Sequence, residues 1–178
     1  MDITKIDIGK KCPDEINAII EVPTYGAPVK YEIDKDSGAL HVDRFFGTAM
    51  HYPCNYGFIP HTLAEDGDPL DILVITNSPL MSGVVIACRP VGLLNMEDEA
   101  GGDAKVLAVP TTKLTPLYKE VEDYNDVARS LIDEIQHFFE QYKALEPGKW
   151  ARVDHWDGPD VAKAEIRASV ERYDNSVS

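Results

Sequence analysis

Between Ala18 and Val109 the chain alternates short β-prone runs with turn signals: AIIEV, VKYEI, ALHVDRFF, YGFI, LDILVI, GVVIACRPVGLL and KVLAV. So many short strands in one stretch predict a barrel or sandwich. The cluster DKDSG between VKYEI and ALHVD is a turn of Asp, Ser and Gly, so those two runs are expected to pair as a hairpin. Lys30 and Glu32 then share one face of that hairpin, opposite Val29, Tyr31 and Ile33.

After Pro116 the apolar period changes. Val127, Leu131, Ile135, Phe138, Tyr142 and Leu145 step by four and three, and Pro147-Gly148 is a stop, which predicts an amphipathic helix of about five turns. A second helix is expected from Pro159, with Ala162, Ile166, Val170 and Tyr173 on one stripe before a polar tail, DNSVS. Both helices are expected to pack on the sheet, giving an α+β, mainly β fold. No repeat or linker interrupts the 178 residues, so the expectation is a single domain over 1–178.

The 17 Lys and Arg against 31 Asp and Glu leave a net charge of −14. That balance argues against binding a nucleic-acid backbone, which needs a basic face. The opening MDITKIDIGKKCPDE has no signal-like apolar core, and no apolar run approaches membrane-spanning length; a cytoplasmic protein with no membrane partner is expected. Cys12, Cys54 and Cys88 are odd in number and widely spaced, without a CxxC pair, which reads as reduced thiols.

The stretch EDGDPLDIL places Asp66, Asp68 and Asp71 against an apolar strand, with Gly67 and Pro69 fixing the loop. Alone, such a pattern is more often a solvated turn than a site. A calcium-binding EF-hand loop would need Gly and Glu where Asp71 and Asn77 stand. A second stretch, MEDEAGGDAKVLAV, repeats the arrangement: Asp98, Glu99 and Asp103 lie beside paired glycines just before another strand. Two such loops can converge at one end of a barrel, and carboxylates so gathered repel unless hard divalent cations lie among them.

Basic groups accompany these acids: Lys30 near Glu32, Arg44 in VDRFF, Lys105 after Asp103, and Tyr142-Lys143 near the end of the long helix. Each alone reads as surface charge, and Tyr142 equally suits the helix core. Together, carboxylates holding Mg²⁺ opposite Lys and Arg form the arrangement that phosphoryl transfer requires. Tyr52 and Tyr56 in MHYPCNYGFIPH serve equally as phosphate donors or as core aromatics. His41, His51, His61, His137 and His155 match no metal-ligand or Ser-His-Asp spacing, and there is no phosphate-cradling Gly-rich loop.

DGDPLD, together with KYEIDKDSGALHVDRF, YPCNYGFIPHTL, RPVGLLNMEDEAGGDAK and HFFEQYK in that order, resembles the soluble inorganic pyrophosphatases of family I, bacterial type, from about Ile16 to Tyr173. The resemblance implies a five-stranded OB-like barrel with two principal helices that hydrolyses pyrophosphate to two orthophosphates with Mg²⁺, several ions per site. Mn²⁺ or Zn²⁺ are implied substitutes and Ca²⁺ an inhibitor. By the same resemblance Asp66, Asp71 and Asp103 would hold the first metal, and Asp71 would bridge to a second that shares a water with it. Asp98 with Asp103 would bind a metal arriving with substrate, and Glu32 another, partly through water.

The resemblance makes Asp68 the general base toward that water, with no covalent phosphoenzyme. Lys30, Arg44, Lys105, Tyr142 and Lys143 would grip the phosphates, with Arg44, Lys143 and Tyr56 in catalytic roles and Tyr56 near the leaving group. Glu21, Tyr52 and Glu99 would support the site. A homohexamer, a dimer of trimers, is also implied; where some bacterial relatives carry a second His one helical turn after His137, this chain has Gln141, which bears on the pH response of assembly. Two other readings stand beside this one: a two-metal phosphatase for another ester, and a non-catalytic metal-binding OB-like module.

Overall fold

The computed structural model describes residues 2–177. Nine strands and two α-helices run in the order β1 (Ile16–Val22), β2 (Val29–Ile33), β3 (Leu40–Phe45), β4 (Asn55–Phe58), β5 (Asp71–Val74), β6 (Val85–Asp98), β7 (Gly101–Gly102), β8 (Lys105–Pro110), α1 (Arg129–Gln141), β9 (Ala151–Asp157) and α2 (Pro159–Ser176). The fold is mainly β with two helices, as the short strand runs predict.

The sheet closes on itself through five strands, in the order β1, β4, β5, β8, β6 and back to β1. The long β6 serves twice, pairing β1 through Val85 to Cys88 and β8 through Cys88 to Leu94. Closure leaves no free edge within the ring. At Gly57 the ring tolerates no side chain: a Cβ there would lie 1.9 Å from the Ile19 carbonyl oxygen on the neighbouring strand. β2 and β3 form the separate hairpin expected around DKDSG, with Lys30 opposite Arg44.

Central strands are apolar on both faces because each face meets a core. From β5 and β8, Leu73, Leu107 and Val109 join one cluster with Ile132, Ile135, Phe138 and Phe139 of α1. Their alternate neighbours Ile72, Val74, Val106 and Ala108 join the other, with Ala162 and Ile166 of α2. A period of two along the strands thus sends successive side chains to opposite cores. Truncating Phe138, fully buried between sheet and helix, would cost about 3–5 kcal/mol.

Two expectations need correction, and one strand was not expected. α1 spans 13 residues rather than about five turns. Past Gln141 the chain tightens into turns, with Ala144 N–H on Gln141 O and Glu146 N–H on Lys143 O, and Leu145, the last member of the expected stripe, is 67% exposed. α2 runs on through Ser176 where a polar tail was expected, because Ser176 and Val177 bond back to Tyr173 O. β9, unforeseen, pairs antiparallel with β6. The three cysteines are free, and among the described residues no helix is long and apolar enough to cross a membrane.

Candidate active site

The two acidic loops meet because β5 and β8 are parallel neighbours. Asp71, the first residue of β5, stands in register with Lys105, the first of β8. Ahead of Asp71 the chain turns at Gly67, whose φ of +94° suits glycine, while Asp68 N–H donates to Asp66 Oδ1 at 3.0 Å and Ala64 N–H to Asp68 O at 2.7 Å. Ahead of Lys105, the hairpin of β6 and β7 turns at Ala100, whose N–H donates to Asp98 Oδ1 at 2.7 Å. Both loops open at the same end of the ring.

They line a cleft of about 360 Å³. Every site residue that the family resemblance implies lines it: Asp66, Asp68, Asp71, Asp98, Glu99 and Asp103 from the loops; Lys30, Glu32 and Arg44 from the hairpin; Glu21, Tyr52, Tyr56, Lys105, Tyr142 and Lys143 from the ring and the end of α1. Lys35, Asp43 and Lys149 also line it and escaped the sequence reading. Lys35 sits in the hairpin turn, 3.2 Å from Asp68 Oδ1, where composition gave it only a turn role. Asp43 lies 3.4 Å from Lys30 Nζ; its place beside Arg44 in VDRFF was the available signal.

Ion pairs organise the walls. Lys105 is 2% exposed and donates to Asp71 Oδ2 at 2.6 Å and to Asp103 Oδ1 at 2.7 Å, and the Tyr56 hydroxyl donates to the same Asp71 oxygen at 2.9 Å. Lys143 donates to Asp98 Oδ2 at 2.6 Å and reaches Glu99 at 3.3 Å. Lys30 pairs with Glu32, and Arg44 lies 3.2 Å from Glu146 Oε2. Glu21 accepts the Ile33 N–H at 2.7 Å, tying the hairpin to β1. Behind these groups Tyr52 stacks on Tyr56, with ring centroids 4.9 Å apart, and packs on Phe138 at 4.6 Å.

The electrostatics leave negative charge unbalanced: nine carboxylates face six cationic side chains across the cleft. Burial, then Asp103 and Asp68, push the Asp66 carboxyl above its ordinary range. Burial raises Asp71 as well, with Asp103 adding to it against the pull of Lys105. Burial alone would lower the Lys105 ammonium, but Asp103 and Asp71 outweigh it and hold the charge. Burial keeps Tyr52 and Tyr56 protonated, so both remain hydroxyl donors.

Against burial, the Lys143 ammonium helps hold Asp98 and Glu99 below their ordinary ranges, so it is Asp66 and Asp71 that are left raised and that added cations would stabilise. All-oxygen ligation selects hard divalent ions, so the residues fit Mg²⁺ by chemistry. Among the described residues no three of these groups enclose a point as they stand, and the cation between Asp71 and Asp103 is the Lys105 ammonium.

Clustered carboxylates and fixed cations in one polar cleft define an enzyme site for phosphate oxyanions. The family model described as inorganic pyrophosphatase matches residues 18–174. The inorganic pyrophosphatase of Salmonella typhimurium is 56% identical over 172 residues, covering 97% of this chain and 98% of that one. The crystal structure of inorganic pyrophosphatase from Thermus thermophilus is 48% identical, with a TM-score of 0.92, over 98% of this chain and 99% of that one. That of an inorganic phosphatase from Anaplasma phagocytophilum reaches 0.94 at 50% identity, over 96% and 99%. The chain belongs to the inorganic pyrophosphatase family, and with it to the hydrolases.

Proposed function

We propose that this chain hydrolyses pyrophosphate to two orthophosphates in a Mg²⁺-dependent reaction, by direct attack of water and without a covalent phosphoenzyme. The observation that carries the reading is the meeting of both acidic loops and all five expected phosphate-gripping residues on one cleft. Asp66, Asp71 and Asp103 would hold a first ion, Asp71 would also serve a second, Asp98 with Asp103 would take one arriving with substrate, and Glu32 would serve another. Bound Mg²⁺ neutralises charge on phosphate oxygens and raises the acidity of water.

The chain's own groups do the rest. Lys30, Arg44, Lys105, Lys143 and the Tyr142 hydroxyl hold the phosphates from several sides of the cleft. Asp68, on the rim with a 74% exposed side chain, takes the proton of the attacking water as its oxygen bonds to phosphorus. The bridging P–O bond breaks and its oxygen leaves on the second phosphate, where Tyr56, Arg44 and Lys143 offset the charge that develops. Glu21, Tyr52 and Glu99 position these groups through Ile33, Tyr56 and Lys143.

The same reading makes 1–178 one cytoplasmic domain, with Mn²⁺ or Zn²⁺ as substitutes and Ca²⁺ as an inhibitor. Exposed Phe45, Met81 and Leu117 offer apolar surface for a homohexamer built as a dimer of trimers. The net charge of −14 argues against a nucleic-acid partner.

The test is phosphate release from pyrophosphate with Mg²⁺, with chelator and Ca²⁺ controls and p-nitrophenyl phosphate as competitor. Fast release from pyrophosphate alone, abolished by chelator, is expected. Release from the monoester would indicate a general two-metal phosphatase, and release from neither a binding module.

A further inference from the structure

The loop carrying Asp66 and Asp68 is anchored outside the cleft. Thr62, buried beneath it, donates its hydroxyl to Ile59 O at 2.6 Å and accepts the Leu70 N–H at 2.9 Å, joining the two ends of the loop. The next residue, Leu63, gives both backbone polar groups to α2: its N–H donates to Ser169 O at 2.9 Å, and its carbonyl accepts from Arg172 Nε at 2.7 Å. Arg172 is itself held, since its Nη2 donates to Glu165 and, at 2.8 Å, to Ser169 Oγ. Ser169 Oγ lies 3.1 Å from Glu165 Oε1, which closes the set.

Glu165, Ser169 and Arg172 recur at helical spacing on one face of α2, and Ser169 is fully buried. Below them Ala162 and Ile166 share a core with Leu70 and Ile72, which continue from the acidic loop into β5. Arg172 does not line the cleft. A guanidinium can send Nε to a carbonyl and Nη2 to a carboxylate and a hydroxyl at once, whereas a lysine ammonium at the end of a flexible stem cannot hold that fork.

We infer that Arg172 is a positioning residue, which fixes the acidic loop through Leu63 so that α2 sets the geometry of metal capture by Asp66 and proton acceptance by Asp68. The inference rests on the roles proposed for those two carboxylates. The phosphate grips stand on other elements, Lys30 and Arg44 on the hairpin, Lys105 on β8 and Lys143 beyond α1, so a loosened clamp spares them.

The test compares Arg172→Lys and Arg172→Gln with Ile166→Val, which trims the α2 core and leaves the groups that bond Leu63 in place, and with Asp68→Asn. The readouts are amide hydrogen exchange of residues 63–68 in chelator, Mg²⁺ affinity by calorimetry, kcat, KM for pyrophosphate and the thermal midpoint. Both Arg172 variants should exchange faster at Leu63 and Ala64 and lose about 10-fold or more in Mg²⁺ affinity and kcat, the size typical of partners behind metal ligands, with KM little changed. Ile166→Val should lower the midpoint and leave the other readouts alone.

Arg172 variants that keep wild-type exchange and Mg²⁺ affinity overturn the positioning role. So does an Ile166→Val protein with the same losses, or failure of both Arg172 variants to fold. Near wild-type turnover in Asp68→Asn would instead retire the base assignment, with loop exchange and Mg²⁺ affinity still deciding the clamp.

Discussion

Lys105 and Asp71 are in-register partners on parallel strands, and the Lys105 ammonium lies 2.6 Å from Asp71 Oδ2, nearly out of reach of solvent. A buried cation thus occupies the centre of the acidic cleft, shared with Asp103 at 2.7 Å. It is the fixed part of a charge balance whose remainder divalent ions are expected to supply.

Removing that cation should expose the balance. Lys105→Ala leaves two half-buried carboxylates without their partner, and because breaking a fully buried pair typically costs about 3–5 kcal/mol, the loss here should lie at or below that range. In chelator the thermal midpoint should fall sharply, and added Mg²⁺ should restore more stability to the variant than to wild type. A variant as stable as wild type in chelator would show that Asp71 and Asp103 need no resident charge.

Asp71→Asn should weaken Mg²⁺ binding itself. The amide keeps the Tyr56 hydrogen bond but loses the charge proposed to serve two ions. Mg²⁺ titrations followed by activity and by calorimetry should both shift to higher concentration; superimposable curves would contradict the shared-ligand assignment.

Much of this site is legible in the sequence because its chemistry is local. DGDPLD and MEDEAGGDAK each declare carboxylates at the mouth of an apolar strand, and parallel pairing of those strands is enough to join them. Less is legible where side chains owe their role to a distant partner. Lys35 reads as a turn residue until the hairpin folds toward Asp68, and Arg172 reads as helix surface until Leu63 meets α2. β9 escapes for a related reason: the alternation of ARVDHWD breaks at Asp154 and His155, both exposed, where the pairing with β6 shifts register, so its strand character depends on that partner. α1 is overextended because Tyr142 keeps the apolar period, although past Gln141 the backbone bends into the turns that bring Lys143 to Asp98.

Asp68→Asn should keep Mg²⁺ binding and lose about 10²-fold or more in turnover, the usual size of a general-base effect. The Asp68 side chain pairs with Lys35 at the exposed rim, so the change should leave the thermal midpoint close to wild type. Near wild-type turnover at saturating Mg²⁺ would assign the proton to another acceptor.

Glu21 makes metal-free stability depend on pH. Burial pushes its carboxyl up from 4.5 to about 7, against the Ile33 N–H that favours the charged form, with Asp71 raising it further. Because the folded pKa lies above the unfolded one, the native state holds a proton that the unfolded chain has released between about pH 4.5 and 7. Stability from this group therefore falls as pH rises through that window, and the loss is complete above it, at about 3 kcal/mol for a shift of this size. Glu21→Gln retains an oxygen for the Ile33 N–H and carries no titrating proton. In chelator its urea-unfolding free energy should decline less than that of wild type between pH 5 and 8, leaving the variant the more stable protein at the upper end. With Mg²⁺ present the gap should narrow, since added positive charge in the cleft favours the Glu21 carboxylate. Parallel pH profiles for the two proteins in chelator would mean that Glu21 is solvated well enough to ionise normally.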